Sequence, residues 1–324
     1  MKRNPLLIAW IVLSVFLLIF TSEGLAQDYP NKAITILVGF AAGGTTDLPA
    51  RKLAEVAKKY LNNQPMVVEN KVGGAGTVAA TLLAQAKPDG YTISAFAYSS
   101  SVLIPHMRKI PYDTKKDFEY IMQFAEYPTT FAVRTDHPAN TWKEWIEWAK
   151  KNVDKATYGT AGPGSGAHVF MQEIFLIEKI NPNHIPFGSG NEGTVALLGG
   201  HVSAVLDGST VPHVKAGRLK ALAVENPDGL SALPDIPSFR KLGYTEVRAP
   251  LWLGMAAPGK AHTPILKRLE EAFTRAAKEP EFVEFMKNMG MDIILKDGAG
   301  FRKLVEDDYD YYGPIIRKLG LHAR

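Results

Sequence analysis

The chain has 324 residues, with 37 lysines and arginines against 33 aspartates and glutamates, a formal net charge of +4, and no cysteine. The basic residues are spread along the sequence rather than gathered into a stripe, which argues against a phosphate-backbone binder. Without cysteine there are no disulfides, no thiolate metal ligands and no lipid-modified cysteine anchor, so stability must come from packed cores.

Lys2 and Arg3 precede an apolar run from Leu6 to Phe20 and a small-residue stretch ending Gly24-Leu25-Ala26. This is the pattern of a secretory signal peptide, and the run is short of the ~20 residues that span a bilayer. A leader over residues 1–26 is expected, the alternative being an uncleaved anchor, with the mature protein in the periplasm. What remains is long for one core and fits two domains.

Ile34 to Val38 is a β-branched run that reads as a buried strand, followed by the glycine-rich segment Gly39 to Asp47. A helix comes next: Thr46 or Asp47 is placed to cap it, Pro49 falls in its first turn, and Leu53, Val56, Ala57, Tyr60 and Leu61 form one apolar face. The pattern repeats with the strand Met66 to Val68, the turn Gly73 to Thr77 and a helix from Val78 to Ala86. Pro88-Asp89-Gly90 then turns the chain into a third strand, Tyr91 to Phe96, ending at Ser99-Ser100-Ser101. Such βαβαβ alternation predicts a parallel sheet.

A second unit follows a helix carrying Trp142, Trp145 and Trp148, whose helical spacing marks a packing face. It comprises the strand Thr157 to Gly159, the loop Thr160 to Ala167, a helix from His168 to Lys179, the segment Ile185 to Phe187, a short helix from Glu192 to Leu198, and strands Val202 to Leu206 and Leu219 to Val224, with Asp207 ending the first of these. Leu251 to Met255 can return the chain to the first unit, where the helices Thr263 to Lys278, Pro280 to Met289 and Gly300 to Leu319, the last expected to kink at Gly313-Pro314, would cover its sheet. The expected organisation is α/β with two lobes, each a mostly parallel sheet flanked by helices: residues 27–127 and 249–324 form a discontinuous first lobe and residues 128–248 the second. Two crossing strands make a hinge.

Three glycine-rich turns, Gly39 to Asp47, Gly73 to Thr77 and Thr160 to Ala167, join strands to helices. Each presents backbone N–H groups at a helix N-terminus, where an anion is favoured, and open α/β sheets bind ligands along this edge. Thr45, Thr46, Thr77, Ser99, Ser100, Ser101, Thr160 and Ser165 add hydroxyls, and no Lys or Arg lies within the three segments. That donor set suits a carboxylate better than a phosphate, and the pattern G-x-x-x-x-G-K-S/T is absent.

Two enzyme readings compete. Gly188 to Gly193 spells G-x-G-x-x-G after a strand, but the helix behind it is about two turns long and the unit is shorter than the ~30 residues a dinucleotide site expects. Gly162 to Gly166 has proline where the G-x-S-x-G elbow of a serine hydrolase would need another arrangement, leaving Ser165 and His168 as a weak pair. The histidines have no metal-ligand spacing, so no metal and no cofactor are expected.

The ordered set of Tyr29 to Ile34, Phe40 to Asp47, Val68 to Lys71 with Gly73 to Gly76, Pro88 to Thr92, Tyr112-Asp113 with Lys116 to Phe118, Leu198 to Gly200, and Leu233 to Ser238 resembles the Bug family of periplasmic receptors for tripartite tricarboxylate transporters. The resemblance implies a two-lobed fold like the type II periplasmic binding proteins. It also implies a small organic carboxylate held between the lobes, integral-membrane transporter subunits as partners, a monomer, and no catalysis. The positions it assigns to ligand contact are Ala42, Gly43 and Asp47 in the first loop, Gly76 and Thr77 in the second, Thr160, Ala161 and His168 across the cleft, and Asp207 on the second lobe; Ser99 joins them from the serine run. Asp207 reads equally as a cap on the helix near Val211. Gly39 stands where the family has proline, Thr77 where it has asparagine, and Ile185 to Ser189 replaces a tyrosine, lysine and glycine, so the ligand's identity is open. The alternative is an exported α/β enzyme acting on a small acid or ester.

Overall fold

The structure is a computed structural model that describes residues 29–249 and 251–322; the expected leader lies outside them. Its elements in chain order are β1 (Ile34–Val38), α1 (Asp47–Ala57), β2 (Met66–Asn70), α2 (Thr77–Ala84), β3 (Thr92–Ala97), α3 (Ile104–Met107), β4 (Phe118–Glu126), β5 (Thr130–Arg134), α4 (Trp142–Lys151), β6 (Thr157–Thr160), α5 (Gly166–Glu178), β7 (Asn183–Pro186), α6 (Gly190–Leu198), β8 (Ala204–Asp207), α7 (Val211–Lys215), β9 (Leu219–Val224), β10 (Trp252–Pro258), α8 (Thr263–Ala277), α9 (Pro280–Met289), β11 (Lys296–Asp297) and α10 (Gly298–Lys318).

Two sheets divide these strands. One has the order β11-β4-β10-β3-β1-β2 and the other β7-β6-β8-β5-β9. β1 pairs parallel to β2 and β3, and β6 parallel to β7 and β8. Both β5 and β10 run antiparallel to their neighbours. The reversal has a simple cause: these are the strands that enter each sheet from the other lobe.

Alternation along β1 explains the first core. Ile34, Ile36 and Val38 face α1, α8 and α9, joining Leu53, Val56, Leu269, Phe273 and Phe282. Leu37 faces the other way, into a layer with Leu83 of α2, Phe96, Trp252 and Phe301 and Tyr312 of α10. α10 runs as one continuous helix through Gly313-Pro314, with Tyr312 and Ile316 fully buried on either side. In the second lobe Trp142 and Trp145 are buried and stack on each other at 5.4 Å, against Phe131, Phe175 and Phe239, so the tryptophans are a packing face. Thr141 caps their helix by accepting from the Glu144 N–H. Losing one such fully buried aromatic costs about 3–5 kcal/mol.

The register fixes where the lobes meet. β1, β2, β3 and β4 all end on one edge of the first sheet, and β6, β8 and β9 end on the edge of the second where β5 begins. The chain passes between these edges from β4 to β5 and returns between β9 and β10. The Tyr127 N–H donates to the Leu251 carbonyl at 2.9 Å, tying the crossings together, and Asn226 braces the first by bonding Thr129 N–H and the Tyr127 carbonyl.

Candidate functional site

The first two glycine loops are built against each other. A Cβ on Gly39 would stand 2.6 Å from the Gly76 Cα, and Gly76 itself, at φ +91°, lies under the Phe40 ring and beside Ser100. Only glycine fits such an approach with that backbone. Ala42 and Gly43 form the exposed crest of the first loop. Neither Thr46 nor Asp47 caps α1 as the sequence led one to expect: the Thr46 hydroxyl shares a 2.7 Å hydrogen bond with the Tyr127 hydroxyl, and Thr46 already has helical backbone angles.

Asp47 instead turns back on its own loop. It is fully buried and accepts from the Gly43 N–H at 2.9 Å, from Arg51 Nε at 2.9 and 3.0 Å, and from Asn70 Nδ2 at 2.8 Å. Burial opposes its charge, but the bonds from Arg51, Gly43 and Asn70 outweigh that and hold the carboxyl below its usual range. With these acceptor positions occupied, Asp47 shapes the loop. Asn70 also donates to the Phe40 carbonyl, fixing the loop's other arm.

In the second loop Gly73, Gly74, Ala75 and Gly76 all have positive φ, an unusual run that lifts the chain over the start of α2. The Thr77 hydroxyl donates to the Gly74 carbonyl at 3.0 Å, and Ser99 donates to the Ala75 carbonyl at 3.0 Å. Both hydroxyls are thus spent holding the loop. Arg108, following α3, donates to the Gly74 carbonyl at 2.9 Å and lies 3.3 Å from Thr77 Oγ1. The sequence places no lysine or arginine inside the loops; the fold brings an arginine alongside.

Across the cleft Thr160 is fully buried, 2.8 Å from His184 Nε2, and receives the Ser165 hydroxyl at 3.3 Å. Ser165 caps α5 by accepting from the His168 N–H, and the His168 ring accepts the Gly164 N–H at Nδ1. Ser165 therefore does not pair with the imidazole as a nucleophile would. Burial, and after it His184 with its ring 4.1 Å away, lowers His168 to about 4, so it is neutral at pH 7. Ala161 is exposed at the loop's crest.

The third loop touches the first lobe directly. A Cβ on Gly166 would meet the Tyr98 ring at 2.5 Å, and one on Gly164 would meet Met107 Sδ at 2.6 Å. Tyr98 in turn stacks edge-on against Tyr127 at 5.8 Å and Trp252 at 6.3 Å. Asp207 ends β8 beside this contact. It caps the following turn by accepting from the Ser209 N–H at 2.8 Å and the Ser209 hydroxyl at 2.6 Å, and Gly190 lies against its carboxyl group. Burial raises its pKa.

Three residues on this edge escaped the sequence reading: Tyr98, Tyr127 and Glu225. Glu225 immediately follows β9, is 2% exposed, and neither of its carboxylate oxygens has a hydrogen-bond partner among the described residues. Burial, then the charge of Asp207, pushes it up to about 8. A signal existed: an acid directly after an apolar strand, on the edge where Asp207 also ends a strand.

Gly188 to Gly193 has a local explanation. Ser189 caps α6 by accepting from the Glu192 N–H while Glu192 accepts from the Gly188 N–H, a capping arrangement that accounts for the spacing without a nucleotide. A recess of about 600 Å³ lined by Arg134, His137 and His201 lies at the opposite end of the second sheet and is separate from the cleft. Among the described residues no group of three or more histidines, aspartates and glutamates could hold a metal ion.

Residues 49 to 321 match the model of the family described as the tripartite tricarboxylate transporter family receptor. A relative from Cupriavidus necator, the UPF0065 protein in the gbd 5' region, is 33% identical over 301 residues, covering 93% of this chain and 91% of the relative. The solved structure of the periplasmic binding protein BugD superposes with a TM-score of 0.80 at 31% identity, covering 91% of this chain and 100% of that one. MatC from Rhodopseudomonas palustris, solved with bound malate, superposes with a TM-score of 0.78 at 25% identity over 89% and 100%. With two α/β sheets, glycine-rich strand-to-helix loops at the edges where the chain passes between them, and a match along most of its length, the chain belongs to the tripartite tricarboxylate transporter receptor family of periplasmic solute-binding proteins.

Proposed function

We propose that this protein captures a small organic carboxylate between its lobes in the periplasm and delivers it to a membrane transporter of the tripartite tricarboxylate type. The observation that supports this reading is the meeting of carboxyl-end loops from two sheets, with exposed crests at Ala42, Gly43 and Ala161 and helix starts at Thr77 and Gly166 on the same edges. Helix N-termini and loop N–H groups stabilise an anion without a fixed countercharge, and Arg108 adds a positive field beside the second loop.

In this reading the first 26 residues are a cleaved leader, residues 27–127 and 249–324 form one lobe, residues 128–248 form the other, and the receptor acts as a monomer. Asp47, Thr77, Ser99, Thr160, His168 and Asp207 act chiefly by positioning the loops, while Ala42, Gly43, Gly76 and Ala161 offer backbone. Among the described residues Ser165 is not paired with the His168 ring as a nucleophile would be, which favours binding over catalysis. The malate seen in MatC is consistent with a carboxylate ligand.

The test is a thermal-shift screen of small organic acids against their neutral amides. An acid present at about a hundred times its dissociation constant adds about 2.7 kcal/mol of apparent stability, a shift the amide should not reproduce. Equal shifts from acid and amide would sink the carboxylate assignment, and multiple turnover of any bound acid would sink the non-catalytic one.

A further inference from the structure

α5 belongs to the second lobe by its core but not by all of its faces. Phe170, Met171, Ile174 and Phe175 are buried in one cluster with Trp142, Trp145 and Phe239, whereas Val169, fully buried, joins the first-lobe layer of Phe96, Trp252, Phe301 and Tyr312. One turn before Val169, Gly166 lies against Tyr98; one turn after it, Glu173 Oε1 accepts from the Tyr311 hydroxyl of α10 at 2.7 Å. Gly166, Val169 and Glu173 fall on one face of the helix, and that face is turned to the first lobe.

The far end of this face meets a cluster built from α10 and the segment between β9 and β10. The Arg248 guanidinium lies over the Tyr311 ring at 5.0 Å and reaches Asp308 at 3.4 Å, Asp308 accepts from Trp252 Nε1 at 3.0 Å, and the Tyr312 hydroxyl donates to the Arg248 carbonyl. Tyr311 is therefore well held. Glu173 is less well provided: its Oε2 is buried and has no hydrogen-bond partner among the described residues, and burial raises its pKa against the opposing influence of Tyr311 and Lys318. A carboxylate so placed depends on its one donor, because without it the whole cost of leaving water is uncompensated.

We propose that the Glu173–Tyr311 bond is a latch between the lobes, holding α5 against the first lobe and setting how readily the cleft opens. α5 begins in the third glycine loop, so the latch at Glu173 acts through about 10 Å of helix on Gly166 and on the loop that carries Ala161. It thereby acts on affinity from outside the site, since the apparent dissociation constant is the intrinsic one divided by the fraction of molecules in the binding arrangement. The inference rests on the two-lobed reading above and on no particular ligand. Its two partners are not equivalent. Loss of the Tyr311 hydroxyl strands a carboxylate that opening returns to water, whereas Glu173→Gln keeps an acceptor for the hydroxyl and leaves no charge to strand.

The chain has no cysteine, so Lys87→Cys on the first lobe and Val195→Cys on the second, both at exposed positions, give one clean pair of spin labels. Pulsed electron–electron double resonance on the dialysed protein then reads the distance between the lobes with no ligand present. Tyr311→Phe should enlarge the population at longer distances about tenfold, the loss of one hydrogen bond to a charged acceptor. Glu173→Gln should keep the parent distribution, and Tyr311→Phe placed in the Glu173→Gln background should open the lobes less than Tyr311→Phe alone. Melting temperatures near that of the parent pair separate opening from unfolding. An unchanged distribution in Tyr311→Phe, or equal opening with and without Glu173→Gln, would overturn the latch. Because no acid enters the measurement, a failed screen of organic acids would remove the carboxylate reading and leave this result standing, and the reverse holds equally.

Discussion

Gly39 and Gly76, one from each of the first two strand-to-helix turns, approach so closely that a methyl carbon on Gly39 would come within 2.6 Å of the Gly76 Cα. The atom met is backbone, which cannot swing aside. Gly39→Ala should therefore push the two loops apart, costing about 1–3 kcal/mol of stability. Because the same displacement moves both anion-facing loops, affinity for the carboxylate should fall as well. Chemical denaturation and titration on the same variant check the two effects together.

Asp47 anchors the first loop through three partners, and Asp47→Asn offers an amide where the Gly43 N–H and Asn70 amide need an acceptor. Loss of these charge-assisted bonds should cost about 2–4 kcal/mol. Because the native carboxyl is held below its usual range, its contribution is present above the unfolded value and disappears as pH falls through the folded one. The variant should accordingly lose part of the acid limb of the stability profile, measured by melting temperature from pH 7 downward.

Closure can be tested at Gly166, which lies against the Tyr98 ring of the opposite lobe. Gly166→Val puts side-chain atoms into that contact while leaving both sheets untouched. Small-angle scattering should give a larger radius of gyration for the variant than for wild type in the presence of a binding acid, and affinity should drop by at least about tenfold. An unchanged radius with unchanged affinity would show that this contact does not limit closure.

Glu225 and His168 make opposite contributions to the pH profile. Burial lifts Glu225 from 4.5 to about 8, so between those values the folded chain holds a proton that the unfolded chain has lost. Its contribution is full below about 4.5 and is lost as pH rises toward 8, with a slope approaching about 1.4 kcal/mol per unit. His168, lowered from 6.5 to about 4, acts only as pH falls below 6.5, where the unfolded chain gains a proton first. Between pH 6.5 and 8.5 the melting temperature should therefore decline in wild type and decline less in Glu225→Gln, with the variant more stable at pH 8.

Much of the architecture was legible because it depends on local patterns. The alternation of Ile34, Ile36 and Val38, the glycine turns, and the spacing of Trp142 and Trp145 each report one strand, loop or helix face. What the site residues do was less legible. Thr77 and Ser99 look like donors to a ligand in the sequence, yet the folded loop turns both onto backbone carbonyls. Asp47 could not be recognised as a brace without knowing that Asn70, 23 residues away, comes to meet it. Glu225 was missed because its meaning depends on β5 entering between β8 and β9, a long-range pairing that no local pattern encodes.

β10 lies between β3 and β4, so the first sheet has a gap at its centre until residues 252–258 have been made. Residues 29–126 supply four of its strands but leave β3 and β4 each with an unsatisfied edge, and the covering helices α8, α9 and α10 come later still. The second lobe takes all five of its strands from one uninterrupted stretch, β5 to β9. Synthesis and folding therefore run out of step: the middle of the chain can finish first, while its beginning waits for its end. This order leaves two open strand edges exposed to aggregation whenever the segment from residue 252 onward is delayed or cut away.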